Sequence, residues 1–363
     1  MTRTGFRAAA LPARRLANQR LSRTTFSRPA DVVAWFGAVQ AQDYLGALWA
    51  LRRRLRRGTE ATIEAALAQR TLIRCWPMRG TLHFVAAEDA RWITRLLAPR
   101  VLARTSGFMK RTLDLDATVA ARARDVVTRA LEGGRRLDRA GIYEALEAGK
   151  IRCGGMRGQH ILLWLAMDGT LCQTGRIGRQ HAFALLDEWL PESRVLTGQA
   201  AFAELARRYF TSHGPASVQD FAWWAGITQR DAIMAIDAAG DALRRERLDD
   251  CDLWSGAKAT RPTTARKPQV ALLPAFDEYT VAYKDRTAVG GTGRLSNPMA
   301  LLNPLVIVDG LAVGTWQRKL HREGARVRVR ATRTLTRAEW AALEDEVRDY
   351  GEFLGSGARL VRR

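Results

Sequence analysis

Two glutamines separated by one alanine, Gln40 and Gln42 in the stretch VQAQDYLGALWAL (Val39 to Leu51), are the residues whose type and spacing best suggest chemistry. Gln40 follows Phe36 by four residues, so on a continuous helix it lies on the apolar face. A buried amide left without a hydrogen bond costs about 1–3 kcal/mol, so such a residue needs a partner. Residues i and i+2 point apart on a helix but share a face in extended backbone. The two amides therefore serve one site only if the helix ends between or near them. In that case their oxygens can hold a water molecule and weakly stabilise a developing positive charge. The plainer reading is a helix end whose Gln side chains cap local backbone groups. Asp43 follows Gln42 directly and is expected to point elsewhere.

Other groups are less specific. In RGTLHFV, Arg79, Thr81 and His83 alternate along a strand and share one face, either a DNA contact or a solvated hairpin face. FDEY supplies Asp277 and Glu278, with Arg286 downstream, as either acid–base groups or a structural ion pair. The run of Arg52, Arg53, Arg54, Arg56 and Arg57 reads as a solvated face or a phosphate contact. Arg176 and Arg179 flank Gly178 at a hairpin tip suited to close approach to a nucleic-acid backbone or groove. Arg326, Arg328 and Arg330 give one strand a basic face. Trp223 and Trp224 are expected in the core. GGTGR, Gly290 to Arg294, lacks the Lys-Ser/Thr of a P-loop and is rejected as a nucleotide site.

The elements that must position these residues are short helices punctuated by hairpins, a pattern repeated along the chain. In the first unit, Ser27 and Pro29 open a helix with Val32, Val33, Phe36 and Val39 apolar, and a second helix runs from about Thr59 to Gln69. A hairpin turning at Met78 to Gly80 follows, then a helix from Ala87. The second unit has helices over 116–131, 138–148 and 158–167 and a hairpin from Thr170. In the third, Ser217 caps a helix, Gly226 breaks it and Thr228 caps the next, a helix-turn-helix signature. Asp249 to Lys267 reads as a polar linker. Strands, an Asp309-Gly310 turn and a helix from Arg337 to Tyr350 complete the chain. The expected class is mainly α with short β-hairpins: three tandem winged-helix units over 11–105, 106–195 and 196–260, and a small C-terminal β-rich domain over 268–355.

Composition narrows the partners. Fifty-eight Lys and Arg against 37 Asp and Glu leave a net charge of +21 over 363 residues, which points to a polyanion. No apolar run is long enough to span a bilayer, and no signal peptide is read in the basic N-terminal stretch. Cys75, Cys153, Cys172 and Cys251 have no CxxC spacing, and only five His accompany them. No zinc site, metal or cofactor is therefore expected, and the cysteines read as small core residues of a reducing cytoplasm.

In order along the chain, QAQD with YLGALWAL, RGTLHFV, LLPAFDEY with Arg286, and DGLAVGTW resemble the AlkZ-like winged-helix DNA glycosylases, from about Leu16 to Gln317. The resemblance implies tandem winged helices forming a C-shaped channel around DNA, and a catalytic Gln-x-Gln motif that falls on Gln40 and Gln42. A sister branch carries Asp at the second position, where this chain has Gln42. The branch with Gln is associated with bulky alkylated purines and with resistance to DNA-crosslinking natural products. The implied activity is hydrolysis of the N-glycosidic bond of N7- or N3-alkylated purines, bulky or crosslinked adducts included. The implied partner is double-stranded DNA, bound by a monomer at the nucleoid of a bacterial cytoplasm. Arg79, His83, Arg176, Arg179, Asp277, Arg286 and Arg328 are the expected DNA-contacting residues. The competing reading is a non-enzymatic winged-helix transcription regulator, which has no need of two converging amides. A nuclease would want clustered carboxylates or His for metal, and the sequence shows none.

Overall fold

The computed structural model describes residues 11–248, 250–258, 267–290, 295, 297 and 299–361. Gly291 to Arg294 and residues 259–266 of the expected linker lie outside the described residues, as does the N-terminal stretch 1–10.

One succession of elements recurs along the chain. First come helix Pro29–Phe36, β1 (Val39–Gln40), helices Tyr44–Arg52 and Glu60–Ala68, and the hairpin β2 (Leu72–Met78) and β3 (Thr81–Ala86). The next set is helix Ala117–Leu131, β4 (Leu137–Asp138), helices Arg139–Ala148 and Arg157–Met167, and hairpin β5 (Leu171–Ile177) and β6 (Gln180–Leu185). Helices Gly198–His213, Val218–Ala225 and Gln229–Ala239 then lead to β7 (Leu243–Leu248) and β8 (Cys251–Gly256). An Ala216–Trp254 bridge stands where the earlier sets have a short strand.

Local chemistry explains the punctuation. Ser217 and Asp220 form a reciprocal capping box, as do Thr228 and Asp231, and Gly226 between them adopts φ 69°. Arg79 and Gly80 both have positive φ (55° and 76°), as does the Asp309-Gly310 pair (50° and 89°), the geometry of type I′ hairpin turns.

Three expectations change. The first helix stops at Phe36, where Gly37 turns the chain with φ 85°, so Gln40 lies on a strand. The segment read as a linker contains β8, which pairs antiparallel with β7 from Leu243–Gly256 to Leu248–Cys251. The helix after the first hairpin, Ala90–Leu113, continues past the boundary expected at 105 and carries Pro99 within it.

The first two hairpins merge into one six-stranded sheet of order β1-β3-β2-β5-β6-β4, joined through the Arg74–Gln173 pair. A five-stranded sheet, β13-β12-β11-β10-β9, is built from β9 (Val270–Leu273), β10 (Leu305–Val308), β11 (Leu311–His321), β12 (Gly324–Ala331) and β13 (Ala358–Val361). Helix Arg337–Leu354 packs on it. This C-terminal part shares its core with the first unit. Trp49 lies 4.9 Å from Tyr350, centroid to centroid, and its indole N–H donates to Leu272 O at 2.6 Å. The arginine run serves the same junction: Arg52 pairs with Asp349, Arg53 with Glu346 at 2.8 Å and Arg54 with Asp277 at 2.8 Å. Only Arg56 and Arg57 of that run are exposed, so it is mainly structural. Among the described residues no helix is long and apolar enough to cross a membrane.

Candidate active site

Strand β1 is two residues long and exists because β3 holds it: Val39 pairs with Phe84 and Gln40 with His83. Ala41 N–H extends the ladder to Leu82 O at 2.7 Å. Beyond Gln42, Asp43 caps the helix Tyr44–Arg52 by accepting from Gly46 N–H at 3.2 Å. The Gln-Ala-Gln segment is thus extended backbone between two helices, the geometry in which residues i and i+2 share a face.

Both side-chain oxygens are held by the β2–β3 hairpin. Gln40 Oε1 accepts from the Arg79 guanidinium at 3.2 Å, and Gln42 Oε1 accepts from Leu82 N–H at 3.1 Å. Gln40 is buried and Gln42 is exposed, so the pair runs from the interior to the surface. An amide oxygen has two lone pairs, and one bond leaves each able to accept another.

The segment is also clamped from behind. Arg74 Nε and Nη2 donate to Ala41 O at 3.0 and 2.8 Å, and Nη1 donates to Gln173 Oε1 at 2.7 Å. Burial lowers the Arg74 pKa to about 10, which leaves it charged near neutrality. On the other side, Gln40 N–H donates to Glu278 Oε1 at 2.8 Å. Glu278 Oε2 accepts from Trp224 Nε1 at 3.0 Å and from His213 Nε2 at 3.2 Å. Burial pushes the Glu278 pKa up, but the bonds from His213 and Gln40 outweigh it, and the net shift is below the ordinary carboxylate value. Burial lowers the pKa of His213, and the bond to Glu278 opposes that shift.

The expected DNA contacts divide. Arg79 is half-buried in the hairpin turn, its guanidinium bound to Gln40 and 3.5 Å from His83 Nε2. Burial lowers its pKa, Arg286 adds to this and Glu278 opposes it. His83 does not face outward: it is fully buried, its Nδ1–H donates to Thr81 O at 2.8 Å, and burial followed by the Arg79 charge lowers its pKa to about 4. Its ring is closed into the interior beside the Arg79 guanidinium, so alternation alone misjudged it. Asp277 is likewise buried in a two-pronged pair with Arg54, at 2.8 and 2.9 Å, and caps Tyr279 N–H. Arg286 is buried, donating from Nε to Thr280 O at 2.8 Å. Arg176 is taken up by Glu60 and Glu64 at 2.9 and 2.7 Å. Arg179 and Arg328 are exposed. Trp224 is in the core as expected, whereas Trp223 is 43% exposed.

Sequence reasoning missed Arg74, Glu278 as a support, and His213. Arg74 in an otherwise apolar strand (LIRCWP) was a readable signal, since a buried arginine demands acceptors. Among the described residues no group of three or more His, Cys, Asp or Glu is arranged to hold a metal ion.

Comparison with known proteins gives the same direction. The family model described as "DNA glycosylase AlkZ-like" matches residues 33–353. An interstrand DNA cross-link repair glycosylase of Streptomyces sahachiroi is 26% identical over 333 residues, 84% of this chain and 85% of that protein. The solved structure of the Streptomyces sahachiroi DNA glycosylase AlkZ superposes with a TM-score of 0.78 at 21% identity, covering 98% of this chain and 99% of that one. Since the family match spans most of the sequence, the chain belongs to the AlkZ-like family of DNA glycosylases.

Proposed function

We propose that this chain hydrolyses the N-glycosidic bond of alkylated purines in duplex DNA, with Gln40 and Gln42 as the catalytic pair. The observation that carries the reading is that one hairpin holds both amide oxygens while leaving each a lone pair. A purine alkylated at N7 carries positive charge and is already a good leaving group, so little acid catalysis is needed. Water held by the amides attacks C1′ as the C1′–N9 bond breaks. The bonding pair returns to the purine ring and neutralises it, and the water's proton passes to solvent. Neutral amides suffice because they stabilise the oxocarbenium-like centre and orient the nucleophile. Bulky and crosslinked adducts belong to the same substrate class, in line with the cross-link repair glycosylase that the chain resembles.

The recurring helix, strand, helix, helix, hairpin succession is read as three tandem winged-helix units, with the C-terminal sheet as a buttress for the first. The net charge of +21 supplies the attraction to duplex DNA. The test is release of free base from duplex carrying N7-methylguanine or a nitrogen-mustard adduct, with and without EDTA. Release unchanged by chelator is expected. Binding without release points to a regulator, and release that needs added zinc or magnesium overturns the mechanism.

A further inference from the structure

A cavity of about 520 Å³, lined in part by Arg79, opens where the first hairpin turn meets helix Ala90–Leu113 and the helix-turn-helix of Val218–Ala239. Its wall carries Arg79, Arg104 and Lys284, the amide Gln219 and the half-exposed indole of Trp223, and none of its lining residues is acidic. Its size falls within the roughly 300–1,000 Å³ typical of ligand sites. Arg104 and Lys284 are solvent-exposed, and Lys284 Nζ sits 3.3 Å from Gln219 Oε1. Trp223 is braced: its indole N–H donates to Val281 O at 3.2 Å, and the Arg286 guanidinium lies 5.8 Å from its ring centroid. Gly226 keeps the wall thin, since a Cβ there would sit 3.1 Å from Arg79 Cγ. Arg79 Nε is buried without a hydrogen-bond partner.

We infer that this cavity is a nucleotide subsite for the DNA strand next to the lesion. A backbone phosphate is held by Arg104, Lys284 and Arg79, and the neighbouring base or sugar lies against Trp223. Cations and an aromatic face without a carboxylate form the combination that nucleic-acid grooves use. The inference rests on the reading that duplex DNA lies against the Gln40 hairpin, and it adds Arg104, Lys284 and Trp223 to the interface. Arg79 then links the two sites, because the guanidinium that meets the phosphate is the one bound to Gln40 Oε1.

The test is equilibrium binding to undamaged duplex and to duplex with a stable abasic analogue, titrated with salt, for the wild type and for Arg104→Ala, Lys284→Ala, Trp223→Ala and Trp223→Phe. Wild-type binding checks the underlying reading alone: a chain that binds neither duplex overturns that reading and this inference with it. Given binding, each lysine or arginine removal is expected to lower the log–log salt slope by roughly 0.9. Trp223→Ala is expected to weaken binding roughly tenfold, with Trp223→Phe restoring most of it. Arg104 and Lys284 are surface residues, so their variants keep the test open even if Trp223→Ala fails to fold. Wild-type affinity and slope in both charge variants overturn the subsite and leave the glycosylase reading standing.

Discussion

Arg74 grips the Ala41 carbonyl with two of its nitrogens while its third reaches Gln173, so one buried side chain ties the middle of the Gln-Ala-Gln segment to the second hairpin. A lysine keeps the charge but has no planar fork. Arg74→Lys is expected to lose about 1–3 kcal/mol of stability by denaturant unfolding, the cost of a buried acceptor left unpaired. Single-turnover base release should fall in the same variant while duplex affinity stays near wild type. Unchanged release would show that the segment holds its geometry without this clamp.

The glutamines themselves should act on rate. Gln40→Ala or Gln42→Ala removes an acceptor for the attacking water, worth on the order of 1–4 kcal/mol in the transition state, so release should slow roughly ten- to thousand-fold. Affinity should move by less than about 1 kcal/mol, because a neutral amide adds little to phosphate attraction. Gln42→Asp, which installs the carboxylate of the sister branch, should retain activity on N7-methylguanine. Alanine variants that release base at the wild-type rate would place the site elsewhere.

His83 makes stability depend on acid. Its folded pKa is about 4, against an ordinary value of 6.5, because burial and then the Arg79 charge disfavour the imidazolium. The unfolded chain takes up this proton below pH 6.5 and the folded chain does not until about pH 4, so stability is lost as pH falls through that window. The slope is about 1.4 kcal/mol per pH unit for one such group. His83→Asn keeps a donor for Thr81 O and removes the titration. Thermal melts from pH 7 to 4 should be flatter for the variant; equal curves would assign the acid sensitivity to other groups.

Salt dependence should separate the two arginines of the second hairpin. Arg179 is exposed at the tip, and its replacement by alanine should lower the log–log slope of duplex binding by roughly 0.9, as should Arg328→Ala. Arg176 is held by Glu60 and Glu64. Arg176→Ala should leave the slope close to wild type. A steep loss of slope in Arg176→Ala would mean that DNA displaces those carboxylates.

Signals confined to a few residues were readable in the sequence. The Ser217 and Thr228 caps, the Gly226 break and the Asp309-Gly310 turn all depend on neighbours within one turn of chain. Long-range pairs were not. Whether Asp277 meets DNA or an arginine is decided by Arg54, 223 residues away, and the support of Gln40 comes from Glu278, 238 residues away. Strand alternation gave His83 the right face but not what covers it. The polar content of 249–267 hid β8, because, of its buried residues Leu253, Ser255 and Gly256, only Leu253 is a large apolar one. The family resemblance pointed to Gln40 and Gln42 where residue chemistry alone favoured a helix cap.

The Arg74–Gln173 pair, by joining the first two hairpins into one sheet, has a mechanical consequence. Neither hairpin can swing as a separate flap without breaking backbone ladder bonds and uncovering Arg74. Under the proposed function, a duplex seated across both would meet a stiff, fixed surface, so the adjustment needed to bring a lesion to Gln42 would fall on the nucleic acid. Alkylated or crosslinked steps that are already easier to unstack or bend would then be favoured by their own compliance, a form of selection that needs no contact with the modified atom.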